Sequence, residues 1–252
     1  ARPTEIPDRT WGTTGQDTNT LDLALRIRDA LFQRTGAYPH LVISNLHRIK
    51  LDPNREIVEA AQDDPEAERA WWEYHIFADR ATDLVEEQFG EGFYIDLHGH
   101  GHTIARLELG YLLTAADLDL SNEALNAAAY VNKSSVKVLA GRPGKTLSAL
   151  VRGPDGLGAL LEARSYPSVP SQAQPGPGSD PYFNGGYSTV RHGSRDTGKV
   201  SGVQIEHHYA GVRDTAANRQ AYAQALVDAL AVYFPAHFGF SLAPKAAAGP
   251  GR

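Results

Sequence analysis

The stretch GFYIDLHGHGH, Gly92–His102, opens as an apolar run of strand length and closes on three histidines separated by glycines. An apolar run this short, ending at glycine, predicts a buried strand over Gly92–His98. Upstream, Pro65–Phe89 is a long charged segment closed by Gly90, which predicts a helix feeding that strand. Further upstream, Asp17-Thr18-Asn19 offers helix caps. After them Leu21, Ala24, Leu25, Leu31 and Phe32 recur at helical spacing, with Gly36 as a stop. His40–Asn45 (HLVISN) is another apolar run and predicts a strand. Downstream, Leu107–Leu113 predicts a third strand, Ser121 caps a helix containing Leu125 and Ala128, and Val200–Tyr209 predicts a last strand. Asp214 or Thr215 caps a final amphipathic helix through Leu226, Leu230 and Phe234. Strands alternate with helices, which predicts a three-layer α/β fold with a mixed, mostly parallel sheet flanked by helices. The expected organisation is one domain over residues 1–243, with the Gly/Pro/Ser-rich stretch Gly153–Gly186 as a loop insertion and residues 244–252 as a flexible tail.

The composition bounds the chemistry. Of 252 residues, 24 are Lys or Arg and 30 are Asp or Glu, a formal charge of −6. That balance argues against a broad nucleic-acid surface and against an anionic membrane surface. No apolar run approaches the ~18 residues that span a bilayer. There is no cysteine, so disulfides, thiolate nucleophiles and cysteine-ligated zinc are excluded, and any metal must use His, Asp, Glu or water. Methionine is absent too, and the chain opens Ala1-Arg2-Pro3. A removed N-terminal segment is therefore expected, with a lean toward an exported, processed protein.

Polar residues that follow strands carry the candidate chemistry, because ligands of open α/β sheets sit outside the strands' carboxyl ends. His98, His100 and His102 alternate, so on an extended backbone all three rings share one face. Neutral imidazole is the commonest metal ligand and a good acid–base group. At least one ring is expected to orient another rather than ligate. The alternative is a polar turn whose histidines bond backbone and water. The second cluster is HRIKLDPNR, His47–Arg55, in which Arg48, Lys50 and Arg55 concentrate positive charge and Arg forks fit carboxylates. Ordinary surface ion pairs are its alternative. In QIEHHY, Gln204–Tyr209, Ile205 faces the core and Glu206 the opposite side. A carboxylate there is costly unless paired, for example with Arg213, or working. Finally, YFNGGYSTVRHG, Tyr182–Gly193, follows a flexible stretch and reads as a substrate-covering loop or a surface hairpin. No Gly-x-Ser-x-Gly, P-loop or dinucleotide fingerprint is present.

Taken together, IPDRT at Ile6–Thr10, HRIKLDPNRE at His47–Glu56, DLHGHGH at Asp96–His102, and YFNGGYSTVRHG through QIEHHY at Tyr182–Tyr209 resemble the N-formylglutamate amidohydrolase family. That family is a distant relative of the zinc carboxypeptidases. The stretches occur in the family's order and span nearly the whole chain. The resemblance implies a zinc carboxypeptidase-like fold and one catalytic zinc. It implies Glu5 and His98 as metal ligands, with a third histidine just before the segment matching Arg2–Pro7. This chain starts after that position, so the third ligand is expected upstream of Ala1, or else the site is rebuilt with His100 or His102. The resemblance further implies Glu206 as general base and Arg48 as the group that polarises the scissile carbonyl. It gives Asn54 and Arg55 as the pair holding a substrate carboxylate and Tyr187 as part of the covering loop.

The expected function is a zinc-dependent hydrolase that cleaves an amide next to a carboxylate-bearing group, on a small acidic substrate such as an N-acyl amino acid or a peptide end. Two alternatives stand beside it: a non-catalytic carboxylate-binding module with a degenerate metal site, and a zinc esterase or polyamide hydrolase on the same scaffold.

Overall fold

In a computed structural model, residues 5–242 are described, and four strands form one sheet: β1 Gly92–Gly99, β2 Leu107–Gly110, β3 Ser168–Val169 and β4 Val200–His207. Their spatial order is β1-β4-β2-β3. β4 pairs parallel to β1 and antiparallel to β2, while β2 pairs parallel to β3. The sheet is therefore mixed rather than mostly parallel. Chain length explains the difference. Only residues 100–106 link β1 to β2, and a parallel crossover needs about a dozen or more residues. The chain reverses instead, and β4 later inserts between the two strands. All eight β4 residues are buried, as its central place demands.

Alternation along β1 assigns the layers. Phe93, Ile95 and Leu97 pack on the main core, where Phe93 meets Tyr233 of the C-terminal helix Ala216–His237. That helix packs against helix α1, Thr20–Thr35. On the opposite face, Tyr94 meets His192 and the Asp96 carboxylate accepts from the Thr189 hydroxyl. The short helix Tyr187–His192 supplies both partners. The helix Pro65–Phe89, called α3 after the short α2 at Ile57–Ala61, also lies against β1. The α3 bounds match the sequence expectation: Asp64 caps it by accepting from the Glu66 and Ala67 amides, Pro65 fills its first turn, and Gly90 ends it at φ 81°. A smaller core of Ile6, Leu51, Ala60, Ala61, Ala67 and Trp71 joins the N-terminal segment, the 47–56 loop and α3.

Several expectations are corrected. Residues 40–45 form no strand; they pair with no ladder, and Leu41 is exposed. The 47–56 cluster therefore sits in a loop that does not follow a strand. The strand expected over Leu107–Leu113 stops at Gly110, where the Asn184–Gly185 backbone crosses so closely that a Cβ would collide with it. Residues 153–186 are not only loop: Leu157, Leu160 and Leu161 bury one face of a helix, Leu157–Glu162, and β3 follows. Ser121 caps a helix that ends at Leu125, and Ala128 opens another. Of the Asp214/Thr215 pair, Thr215 is the cap. On α1 the buried stripe is Leu23, Ile27 and Ala30, whereas Leu21 and Phe32 are exposed, Phe32 stacking on Tyr38. The expected tail at 244–252 lies outside the described residues.

Candidate functional site

In the sheet's register His98 lies opposite Glu206, and Glu206 lies opposite Glu108. Partners on adjacent strands share a face, so these three form a row across β1, β4 and β2. The row sits at the carboxyl ends of the parallel pair β1 and β4, the position the sequence argument singled out.

His98 is held from three sides. Its Nδ1 lies 3.0 Å from Asp17 Oδ2, and its Nε2 lies 3.1 Å from Asn54 Nδ2 and 3.2 Å from Asp96 Oδ1. Asp17 also accepts from the Gly99 amide at 3.1 Å, which ties the carboxylate to the strand end. Burial opposes a charged His98 ring, but the Asp96 and Asp17 carboxylates outweigh it and raise its pKa well above the usual histidine range. Beneath, His207 Nδ1 lies 2.7 Å from the His98 carbonyl and supports the strand end. Burial pushes His207 down to about 3, so it is neutral and donates there.

Glu206 is 6% exposed and, among the described residues, accepts one hydrogen bond, from Gln204 Nε2 at 2.9 Å. Arg213 does not pair with it through a hydrogen bond. The Arg213 guanidinium donates to the carbonyls of His207, His100 and Thr18 and so staples three segments behind the site. Burial raises the Glu206 pKa to about 7; His98 pulls it down, while Asp17, Asp96 and Glu108 push it further up. A carboxyl poised near neutrality can take up or release a proton at ordinary pH.

The loop 47–56 docks beside His98 through Asn54. The Asn54 Oδ1 accepts from the Ser188 amide at 2.8 Å, which turns its Nδ2 toward His98. Gly186 packs on that amide so tightly that a Cβ would overlap it. The loop's cations are not a bare positive focus. Arg48 meets Asp52 at 2.8 Å and Asp17 at 3.8 Å, Lys50 meets Asp8 at 2.6 Å, and Arg55 meets Glu59 at 3.2 Å. The IPDRT segment joins the same loop: buried Arg9 donates to the Arg48 carbonyl, and Lys50 donates to that of Ile6. Tyr187 opens its helix and packs on Trp71 and His75. The segment before it is pinned along β2, with Tyr182 Oη on the Leu109 carbonyl and the Phe183 amide on Glu108 Oε2.

His100, His102 and Glu108 form a group that could hold a metal ion, their ligand atoms lying within 4.8 Å of one another. Glu5 is exposed, and no three-donor group among the described residues unites it with His98.

Sequence reading missed Asp17, expected as a helix cap. Asn19 takes the cap position with no side-chain cap bond, and the Asp17 carboxylate turns to His98 instead. Ser188 and Asp52 were missed as well; Asp52 accepts from the Asn54 amide at 3.1 Å. No local pattern marks Asp17 and Ser188, whose partners are 81 and 134 positions away, whereas Asp52 reaches an amide only two residues on, a local turn signal. No helix among the described residues is long and apolar enough to cross a membrane. Compared with family models, curated proteins and solved structures, the chain finds no match.

Proposed function

We propose that this chain is a metal-dependent amidohydrolase, with zinc as the metal, that cleaves an amide next to a carboxylate-bearing group. The observation that supports this most is Glu206: a buried carboxyl with a pKa of about 7, beside His98 at the strand ends, with no cation among the described residues hydrogen-bonded to it. As a base, Glu206 accepts a proton from the attacking water and returns it to the departing amine. Asn54 and Arg55 orient the substrate carboxylate, and Arg48 faces the scissile carbonyl, where a positioned cation is worth ~2.7–4 kcal/mol. Arg55 has to exchange Glu59 for the substrate, so carboxylate affinity is set by that competition.

His98 fits a metal ligand by its chemistry. A carboxylate on Nδ1 fixes the ring, and Nε2, now flanked by the Asn54 amide and Asp96 Oδ1, is the nitrogen that would ligate the metal once those contacts yield. Glu5 is the second ligand in this reading. A zinc ion held there would lower the pKa of its water to ~7.

The test is hydrolysis of a panel of N-formyl and N-acyl amino acids by the zinc-loaded chain. Turnover that Glu206→Gln abolishes while metal content stays constant supports the proposal. Protein without stoichiometric transition metal, or with turnover untouched by Glu206→Gln, defeats it. The exposed position of Glu5 favours a second reading, a carboxylate-binding module without catalysis. Calorimetry showing N-acyl amino acid binding with neither metal uptake nor turnover would select it.

A further inference from the structure

We propose that His100, His102 and Glu108 bind a zinc-class divalent ion at a site of their own, one strand over from Glu206 and separate from His98. The site does not depend on the hydrolase reading.

The donors are already directed. His100 Nε2 lies 2.8 Å from the Arg106 carbonyl, which can only accept, so Nε2 carries the proton and Nδ1 presents its lone pair. That lone pair now receives the His102 amide at 3.1 Å, a bond the turn can release. His102 Nδ1 lies 2.8 Å from Glu108 Oε1, so the two share one proton where both could share an ion. Bonds of ~2.0–2.1 Å put neighbouring ligand atoms about 3.3 Å apart. The group, gathered within 4.8 Å, has to close by up to about 1.5 Å to reach that spacing, with the His102 amide leaving His100 Nδ1.

Glu108 is fully buried; its Oε1 meets His102 Nδ1 at 2.8 Å, and no lysine or arginine among the described residues hydrogen-bonds to it. Arg106 Nε stands 3.9 Å away and makes no hydrogen bond, while its other donors go to Pro181 and Asp180. A buried carboxylate that shares its Oε1 with an imidazole and has its nearest guanidinium at 3.9 Å is placed to ligate a cation. The outer supports of a metal site are present: a carbonyl fixes the His100 tautomer, and the Phe183 amide holds Glu108 Oε2 at 2.8 Å. Entry is from the side of His102, which is partly exposed and stacked on exposed Phe183. Two imidazoles and one carboxylate suit zinc, not calcium or magnesium, which prefer oxygen.

The experiment is titration of the metal-stripped chain with Zn²⁺ by calorimetry, and with Co²⁺ by visible absorption. It uses the wild type, Glu108→Gln, His102→Gln and His98→Ala, each checked for folding by circular dichroism. Glu108→Gln and His102→Gln are expected to lose one equivalent of zinc that His98→Ala keeps. Zinc is expected to raise Tm in the wild type and in His98→Ala. Zinc binding unchanged in both Glu108→Gln and His102→Gln overturns the proposal. So does a wild type that binds no zinc, or none beyond an equivalent that His98→Ala removes. If Glu108→Gln does not fold, partly exposed His102→Gln and the wild-type cobalt spectrum decide, since a spectrum without nitrogen-ligated bands counts against the site. Loss of turnover in Glu206→Gln is read separately and bears only on the hydrolase.

Discussion

His98 and the His100–His102–Glu108 group are neighbours along β1, its connection to β2 and β2 itself, yet they are held in different ways. The three side chains around His98 come from Asp17, Asn54 and Asp96, two of them 81 and 44 positions away. The bonds within the second group span two to six positions and include a backbone amide and a backbone carbonyl. The first cluster exists only when two remote segments have packed onto β1. The second is gathered within the β1–β2 connection and the strand that follows it. A site assembled from remote segments can be tuned by each of them, which suits catalysis; a site built into one short stretch suits holding an ion.

The largest expected break in this comparison is Glu206→Gln, which should cut kcat by about 10²- to 10⁴-fold. It carries a stability signature too. The folded pKa near 7 exceeds the ordinary 4.5, so the folded state binds the extra proton between those values. Stability contributed by the protonated carboxyl is complete below pH 4.5 and is lost as pH rises through 7. Glu206→Gln should therefore gain roughly 3 kcal/mol at pH 8 and nothing at pH 4, measured by denaturant unfolding. A pH-independent difference would count against the buried carboxyl.

Asp17→Asn comes next. It removes the carboxylate from His98 and should weaken activity or metal binding there by about 10- to 100-fold, as read by stopped assays and dialysis. Zinc at the second group should be unaffected. If both fall together, the two regions are one site.

The glycines sharpen the contrast at a smaller scale. Gly186→Ala pushes into the Asn54 amide and should disturb only the His98 side, costing roughly 1–3 kcal/mol. Gly99→Ala strikes the Arg213 guanidinium, which holds the His100 carbonyl and the Thr18 segment alike, and should disturb both regions. Melting curves with and without zinc separate the two outcomes.

The smallest effect belongs to Arg55→Ala. Because Glu59 already engages this half-exposed side chain, its loss should raise KM for an N-acyl amino acid by about tenfold while kcat changes little. A change no larger than that of Arg69→Ala, an exposed α3 residue, would end the carboxylate-clamp assignment.

The sequence by itself determined the elements whose signals are local. The α3 cap at Asp64, its stop at Gly90, the β1 run and the glycine-spaced histidines are each read within a few residues. It also determined which residue types were available, with no cysteine and an Asp-x-His at a strand end. The tertiary structure decided whatever depends on partners. The run at 40–45 is apolar enough for a strand but finds no ladder. The sheet became mixed because residues 100–106 are too short to cross over. Asp17 left its helix for His98, and the cations of the 47–56 loop each met a carboxylate. Glu206 shows the division most plainly. Its alternation with Ile205 is visible in the sequence, but its pKa near 7 follows from burial and from three carboxylates delivered by β1, β2 and the segment before α1. Local preference acts over a turn or a strand, whereas desolvation and charge act through space, and only the packed chain sets those distances.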